Sequence, residues 1–356
     1  MQTSLAPRPS SADGSPRILI VRLSAIGDVI HGIPVLCALR DAMPRAFIAW
    51  VAEGTAGDLL EGHPALDELV RAPRRWWKSP GDVWRLRQRL RALRFDTAID
   101  LQCLTKSALA ARLSGARRRI GKSGKDGREL SRLLHNELVA AGGRHVIEHY
   151  LTMLQPLGID SPAVRFDLPE RPTEARMADG ILREAGFTRG QFAILNPGAG
   201  WPSKVWPAER YGELARTLAA SHGMPSIVVW CGEVELRLAE TIVASSGRHA
   251  RLAPPTNMVQ LAALCRWAGL FVGSDTGPMH LAAAVGTPTV SLHGPSRAEW
   301  CGAYGPNGAS VQVRYEDGSS IQRRKADDSA MRAITVDMVA QACEKVLITP
   351  ASRKCG

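Results

Sequence analysis

Three short stretches place reactive side chains where apolar runs end. In "GSDTGPMH" (273–280), a carboxylate, a hydroxyl, a glycine, a proline and an imidazole lie between the apolar run Leu270-Phe271-Val272 and the small-residue stretch Leu281-Ala282-Ala283-Ala284. Pro278 suits a first helical turn, where its missing N–H costs nothing, and Gly277 lets a ligand approach the backbone. The free N–H groups of such a turn, with the helix dipole, attract an anion such as a diphosphate. His280, about one turn in, can donate to the same ligand. A carboxylate repels phosphate, so Asp275 is expected to cap the turn or to accept from a sugar hydroxyl. Without a ligand the same residues read as a cap and a packed ring.

In "ILNPGAGWPSKVWPAERY" (194–211) a strand ends in a Pro-Gly-x-Gly loop and a helix starts near Trp206-Pro207. Lys204, held in that loop, can neutralise phosphate charge as a leaving group departs. The plainer alternative is a solvated lysine beside helix-entry packing. In "ILIVRLSAIGDVIHGIPVL" (18–36) the G-x-G-x-x-G dinucleotide fingerprint is absent. Gly27 allows a tight turn there. Asp28, at the start of the following helix, can take a proton from a hydroxyl or simply cap the helix.

The elements that must carry these residues alternate from end to end. Strands are expected near 18–23, 46–52, 68–71, 97–101 and 118–121, with helices around 29–42, 55–61, 82–94, 105–114 and 145–157. The pattern breaks at the proline- and acid-rich "GIDSPAVRFDLPERPTE" (158–174) and restarts with strands near 192–195, 226–230, 250–253, 270–273 and 289–292. Helices fall near 207–221, 233–245, 257–267 and 276–285. This is an α/β pattern of two doubly wound, Rossmann-like sheets, which bind ligands beyond the carboxyl ends of their strands, so the function is expected in a cleft between two domains. The expected boundaries are a disordered tail at 1–16, a first domain at 17–160, a linker region at 161–190, a second domain at 191–346 and a tail at 347–356.

Composition narrows the setting. No run of eighteen apolar residues occurs in the 356, residues 1–16 lack the centre of a signal peptide, and the seven cysteines are scattered without a C-x-x-C pair. A cytoplasmic protein without a disulfide framework or zinc motif is expected. Cys37, Cys103, Cys231 and Cys265 lie in otherwise apolar segments, where a thiol behaves as a small hydrophobe. The net charge of +11 is uneven: residues 71–132 hold 18 Lys and Arg against 5 Asp and Glu, which suits a polyanionic partner. Part of that excess is a solvated helix face, since Val83, Leu86, Leu90 and Leu93 form one apolar stripe and arginines fill the rest.

Together "LSAIGDVIH", "NPGAGWPSKVWP" and "GSDTGPMHLAAAVGTPTVSLHGPS", in this order over about residues 17–346, resemble the bacterial heptosyltransferases of glycosyltransferase family 9. The resemblance implies a GT-B fold of two Rossmann-like domains. It implies inverting transfer of heptose from ADP-heptose to the Kdo/heptose inner core of lipopolysaccharide, with no metal ion in the catalytic step and no cofactor beyond the donor substrate. By the family pattern Asp28 is the base and Lys204 steadies the diphosphate. Asp275, Thr276, Gly277 and His280 form the donor-binding turn, Glu233 binds the ribose, and the adenine lies near Thr256 to Met258. First-heptose enzymes often carry consecutive threonines before the lysine; here Ala199 and Gly200 stand there, with backbone N–H groups or Ser203 as substitutes. The anionic glycolipid acceptor, Kdo-lipid A or inner-core lipopolysaccharide, gives the basic segment a use. Gly27, Arg74, Arg75, Lys78, Arg117, Arg118, Arg119 and Lys122 are candidates to meet it, with Arg71 beside them and Trp76 and Trp77 either dipping toward the lipid or packing. Peripheral association with the inner face of the inner membrane is expected.

Rival readings predict other features. A Rossmann oxidoreductase calls for the missing glycine fingerprint. A nucleic-acid-binding protein calls for stacking aromatics on a basic groove, yet aromatics are only 5% of the chain. A catalytically dead relative would not need Asp28 and Lys204. A family 9 transferase with another nucleotide sugar or acceptor stays open.

Overall fold

The computed structural model describes residues 14–124 and 130–348. The expected tails at 1–16 and 347–356 lie largely outside these residues. The chain divides between Pro169 and Glu170 into two compact units.

In the first unit, β1 (Arg17–Val21), β2 (Phe47–Glu53), β3 (Glu68–Ala72), β4 (Thr97–Asp100), β5 (Arg118–Lys122) and β6 (Glu137–Val139) form one parallel sheet in the order β3-β2-β1-β4-β5-β6. In the second, β7 (Ala193–Asn196), β8 (Ser226–Val228), β9 (Ala250–Leu252), β10 (Leu270–Ser274), β11 (Thr289–His293) and β12 (Gly308–Gln312) form another, in the order β12-β11-β10-β7-β8-β9. Counted from its own first strand, each sheet has the doubly wound order 3-2-1-4-5-6, whose switch point lies between the first and fourth strands. In the units these are β1 and β4, and β7 and β10.

The apolar runs become these strands because both faces of each sheet are covered by helices, so a central strand gains from every side chain it buries. Leu19, Val21, Ala49, Val51 and Ala98 pack with Leu86 and Leu90 in the first unit, while Leu195, Val272 and Leu292 pack with Tyr211, Leu214 and Leu218 in the second. The stripe read in 83–93 is realised: Leu86 and Leu90 are buried, Val83 and Leu93 pack at their margin, and the arginines of helix Pro80–Ala92 face outward.

Several expectations are corrected. The stretch 161–190, read as linker, contains the helix Pro172–Ala185, which buries Ala178, Ile181 and Leu182. Its proline stands at the helix start and Gly186 ends it at φ 72°, so the residues that resembled breakers are its boundaries. Gly27 lies in the first turn of helix Ile26–Ala42 and makes no tight turn. Cys37, Cys103 and Cys265 are buried, but Cys231 is exposed. Trp76 is fully buried, edge-on to Trp77, and so cannot reach a lipid. Among the described residues no helix is long and apolar enough to cross a membrane.

Candidate functional site

The switch point of the second unit is flanked by the loop after β7 and the turn after β10. Asn196, the last residue of β7, donates through Nδ2 to Thr276 Oγ1 at 3.4 Å and to Gly198 O at 3.3 Å, tying loop to turn. Lys204 sits in a short 3-10 segment, Pro202–Lys204, and reaches across to Asp275: Nζ to Oδ2 is 2.5 Å and Nζ to the carbonyl oxygen is 3.4 Å. His280 Nε2 meets the other oxygen, Oδ1, at 3.1 Å. The Asp275 side chain is only 9% exposed. Burial opposes its charge, but the His280 hydrogen bond and the Lys204 ammonium outweigh that and hold its carboxyl well below the ordinary value.

This arrangement overturns one of the two roles expected of Asp275, that of a cap. It does not cap the helix Gly277–Ala284; Thr276 is the N-cap residue and makes no side-chain capping bond, its hydroxyl going instead to Ser274 O at 3.2 Å. Gly277 and Pro278 open the helix, so its first N–H groups stay available to an anion. The exposed-lysine alternative fails as well. The Lys204 side chain is 13% exposed and its ammonium lies 4.5 Å from the ring centre of Trp201 in the same loop.

The remaining donor-side candidates separate. Gly200 opens onto empty space, where a Cβ would meet nothing. Ser203 is buried and its hydroxyl donates to Arg323 O at 2.9 Å, anchoring the helix Ser320–Lys325. Thr256 and Met258 border the start of helix Met258–Trp267, capped by Asn257. Glu233 is exposed, with Arg237 3.7 Å away on the next turn. Glu235, not singled out from sequence, is the acid that faces the loop. Its Oε2 accepts from Cys231 N at 2.8 Å, and its carboxylate crowds Gly198 so closely that any Cβ there would collide with it. Burial pushes its carboxyl up against the pull of that N–H. Two acids in one helical turn carry no sequence signal as to which faces inward; the direction of the helix decides it.

In the first unit, Asp28 lies in the opening turn of helix Ile26–Ala42, immediately after β1. Its Oδ2 accepts from Ala25 N at 3.2 Å and pairs with Arg22 Nη2. The capping contact therefore does not bury the carboxylate, whose side chain stays 41% exposed. Arg22 is buried, donating through Nη1 to Leu101 O at 3.4 Å, with its guanidinium 5.6 Å from the ring centre of Tyr150. Across the switch point Asp100 ends β4 fully buried. Its Oδ1 accepts from Gln102 N and Cys103 N, both at 2.9 Å, and its Oδ2 accepts from Ser107 Oγ at 2.9 Å and faces His135 Nε2 at 3.1 Å. Gln102 Oε1 in turn accepts from Leu23 N at 2.9 Å, so the two loops are tied. Arg22, Asp100 and His135 are scattered in sequence and were not foreseen.

The basic candidates divide by environment. Arg74, Arg75, Lys78 and Arg117 are exposed, Arg75 in a left-handed conformation with φ 60°. Arg71 is paired with Asp58 and Glu61. Arg118 holds Glu137 with two bonds, at 3.0 and 2.9 Å, and donates to Pro156 O. Arg119 donates to Leu134 O and Ala116 O. Lys122 is buried with its ammonium 4.6 Å from the ring centre of Tyr150. The last three thus serve internal contacts rather than a free cationic surface.

Known proteins resemble this chain over most of its length. Residues 83–330 match the model for glycosyltransferase family 9 (heptosyltransferase). Lipopolysaccharide heptosyltransferase 1 of Pseudomonas aeruginosa is 31% identical over 307 residues, 81% of each chain. Among solved structures, a family 9 glycosyl transferase from Veillonella parvula superposes with a TM-score of 0.82 at 23% identity, covering 94% of this chain and 98% of that one. The E. coli heptosyltransferase WaaC with ADP-2-deoxy-2-fluoro heptose gives 0.70 at 26% identity, covering 92% and 99%.

Proposed function

This chain belongs to glycosyltransferase family 9, and on that premise we propose that it transfers heptose, with inversion, from ADP-heptose to the inner core of lipopolysaccharide. It is a transferase with a GT-B-like fold. The relative from P. aeruginosa is named for lipopolysaccharide and the E. coli structure holds an ADP-heptose analogue, which supports acceptor and donor class. The observation that carries the reading is the cation at the second switch point: Lys204 and the first N–H groups of helix Gly277–Ala284 supply positive charge where a diphosphate would leave.

In this reading Asp28 takes the proton of the acceptor hydroxyl as its oxygen attacks the anomeric carbon. The bond from that carbon to the diphosphate breaks on the opposite face, and ADP leaves toward Lys204. The contacts to Ala25 N and Arg22 Nη2 are made by Oδ2, so Oδ1 is the oxygen assigned to the hydroxyl. Arg22 holds the carboxylate in one orientation. At Asp275 the Lys204 ammonium removes the objection to a carboxylate near phosphate by balancing its charge, while His280 hydrogen-bonds the other oxygen. We assign the ribose hydroxyls to Glu235, which lies against the Gly198 loop, rather than to exposed Glu233, and the adenine to the neighbourhood of Thr256 and Met258. The chain itself provides base, leaving-group cation and phosphate donors, so the reading calls for no cofactor and no metal ion in the catalytic step. Arg74, Arg75, Lys78 and Arg117 are the cations available to the carboxylates and phosphates of Kdo-lipid A, and we place the protein at the inner face of the inner membrane, where that acceptor is made accessible.

The test is mass-spectrometric detection of product from ADP-heptose and Kdo-lipid A, beside Asp28→Ala. A heptose-sized gain that disappears in the variant is expected. Undiminished transfer by the variant overturns the base assignment, and failure to bind any nucleotide sugar overturns the transferase reading of the site.

A further inference from the structure

Behind the turn after β10, three side chains of different chemistry converge. One ligating atom each of Asp275, His293 and Cys301 lies within 4.8 Å of the other two. They come from three places in the second unit: the turn itself, the last residue of β11, and the end of the short helix Ala298–Cys301. His293 is fully buried, with Nδ1 3.3 Å from Ser296 Oγ and Nε2 3.0 Å from Ser291 Oγ. Cys301 Sγ lies against the Asp275 carboxylate and donates to Arg297 O at 3.4 Å.

Carboxylate, imidazole and thiol together are the donor set of a borderline-soft cation, and the thiol and imidazole disfavour Mg²⁺ and Ca²⁺, which take oxygen. Zinc binds these groups at about 2.0 to 2.3 Å, which sets tetrahedral donors about 3.5 Å apart, so the cluster need close by only on the order of 1 Å. A serine remains to orient the His293 ring whichever nitrogen binds, as ligating histidines require.

We propose that Asp275, His293 and Cys301 bind a thiophilic divalent cation, Zn²⁺ by chemistry, and that the occupied site competes with Lys204 for Asp275. On binding, the Cys301 S–H bond gives way to a sulfur–metal bond and the proton leaves to solvent. The fourth position is open to water. Both Asp275 oxygens are already engaged, one by Lys204 and one by His280, so a dication on either competes with that partner for the oxygen's charge and places two positive charges beside the Lys204 ammonium. The site thus acts as an inhibitory one. Metal binding stands on the cluster alone; inhibition rests on the proposed function.

The full chain, stripped of metal, is titrated with Zn²⁺ against a chromophoric chelator, and separately with Co²⁺ while the absorption spectrum is recorded. One equivalent of Zn²⁺ and a thiolate-to-cobalt charge-transfer band are expected. Affinity falls at least tenfold in Cys301→Ser and in His293→Gln, and is retained in Cys231→Ser, which removes the exposed thiol. The cobalt spectrum of the unaltered protein decides thiolate ligation even if a variant folds poorly. No binding, no charge-transfer band, or full affinity in Cys301→Ser overturns the site. In the transfer assay, Zn²⁺ should suppress product formation at least tenfold, reversibly with chelator, and Cys301→Ser should lose that sensitivity relative to its own metal-free rate. Stoichiometric binding with undiminished transfer overturns the competition with Lys204, whereas absence of transfer in the metal-free protein counts against the proposed function and leaves the binding result intact.

Discussion

Asp28 and Asp275 each follow a strand bordering a switch point, Asp28 after the first strand of its sheet and Asp275 after the fourth strand of the other. Each is paired with a cation, yet the two are held in opposite ways. Asp275 has both oxygens occupied, by Lys204 and His280, and is almost wholly buried; Asp28 makes its contacts through one oxygen and stays 41% exposed. A carboxylate with both oxygens engaged in the interior is a strut, while one with an oxygen turned to solvent can exchange a proton. The difference supports the proton-transfer role proposed for Asp28 and a charge-balancing one for Asp275, although the sequence offers an acid at both places.

The sharpest way to break this contrast is Asp28→Asn, which keeps the shape and removes the base. Transfer should fall by about 10² to 10⁴-fold, with ADP affinity measured by calorimetry unchanged. A comparable loss of ADP affinity would mean that Asp28 is no more a reacting group than Asp275. Next in size is Lys204→Met. It removes the cation proposed to meet the leaving group, which should slow turnover by about 10² to 10³-fold. It also leaves Asp275 buried with His280 alone, which should cost about 3 kcal/mol in denaturant unfolding. Asp28→Asn takes the carboxylate from buried Arg22, which keeps its bond to Leu101 O and the Tyr150 ring, so the cost should be smaller, about 1 to 2 kcal/mol, and equal costs would erase the distinction.

Acid stability sharpens the comparison further. The folded carboxyl of Asp275 lies well below the ordinary value of 3.8, so the unfolded chain binds the proton more readily and stability must rise with pH through that window. The contribution is complete above about pH 4 to 5 and drains away as pH falls through the unfolded and then the folded value. Unfolding free energies at pH 7, 5, 4 and 3 should therefore be flat at first and then drop. In Asp275→Asn, destabilised at neutral pH, the drop should be shallower; an unchanged slope would show that the buried pair contributes nothing. The smallest effect concerns two acids in one turn: Glu235→Gln should weaken ADP binding by about tenfold, roughly 1.4 kcal/mol, and Glu233→Gln should leave it unaltered. The reverse order would return the ribose contact to Glu233.

Much of the scaffold was legible because a parallel sheet covered on both faces demands continuous apolar runs, and ten such runs stand out. The two unforeseen strands, β6 and β12, are the outer strands at corresponding edges of their sheets, where one side has no neighbour and polar residues are tolerated, as in Gly308–Gln312. The helix at Pro172–Ala185 was hidden by its own boundary residues, since proline and glycine punctuate both loops and helix ends. At the site, Asp28, Lys204, Asp275 and His280 were legible as chemical types at strand ends. Glu235 was not, because Glu233 and Glu235 are separated only by the direction each takes from one helical turn.

By itself the sequence determined the alternation of strand and helix, the placement of an acid, a lysine and a helix N-terminus at carboxyl ends of strands, and the family those motifs carry. These follow from local periodicity and residue type, which need no long-range contact. Tertiary structure decided which partners the charges keep. Lys204 and Asp275 are 71 residues apart, Asp100 and His135 are 35 apart, and Asp275, His293 and Cys301 come from three elements. It also withdrew Arg118, Arg119 and Lys122 from the cationic surface by giving them internal bonds. A charge costs free energy to bury unless something pairs with it, and its partner is set by which strands lie side by side, a fact of strand order rather than of sequence neighbourhood.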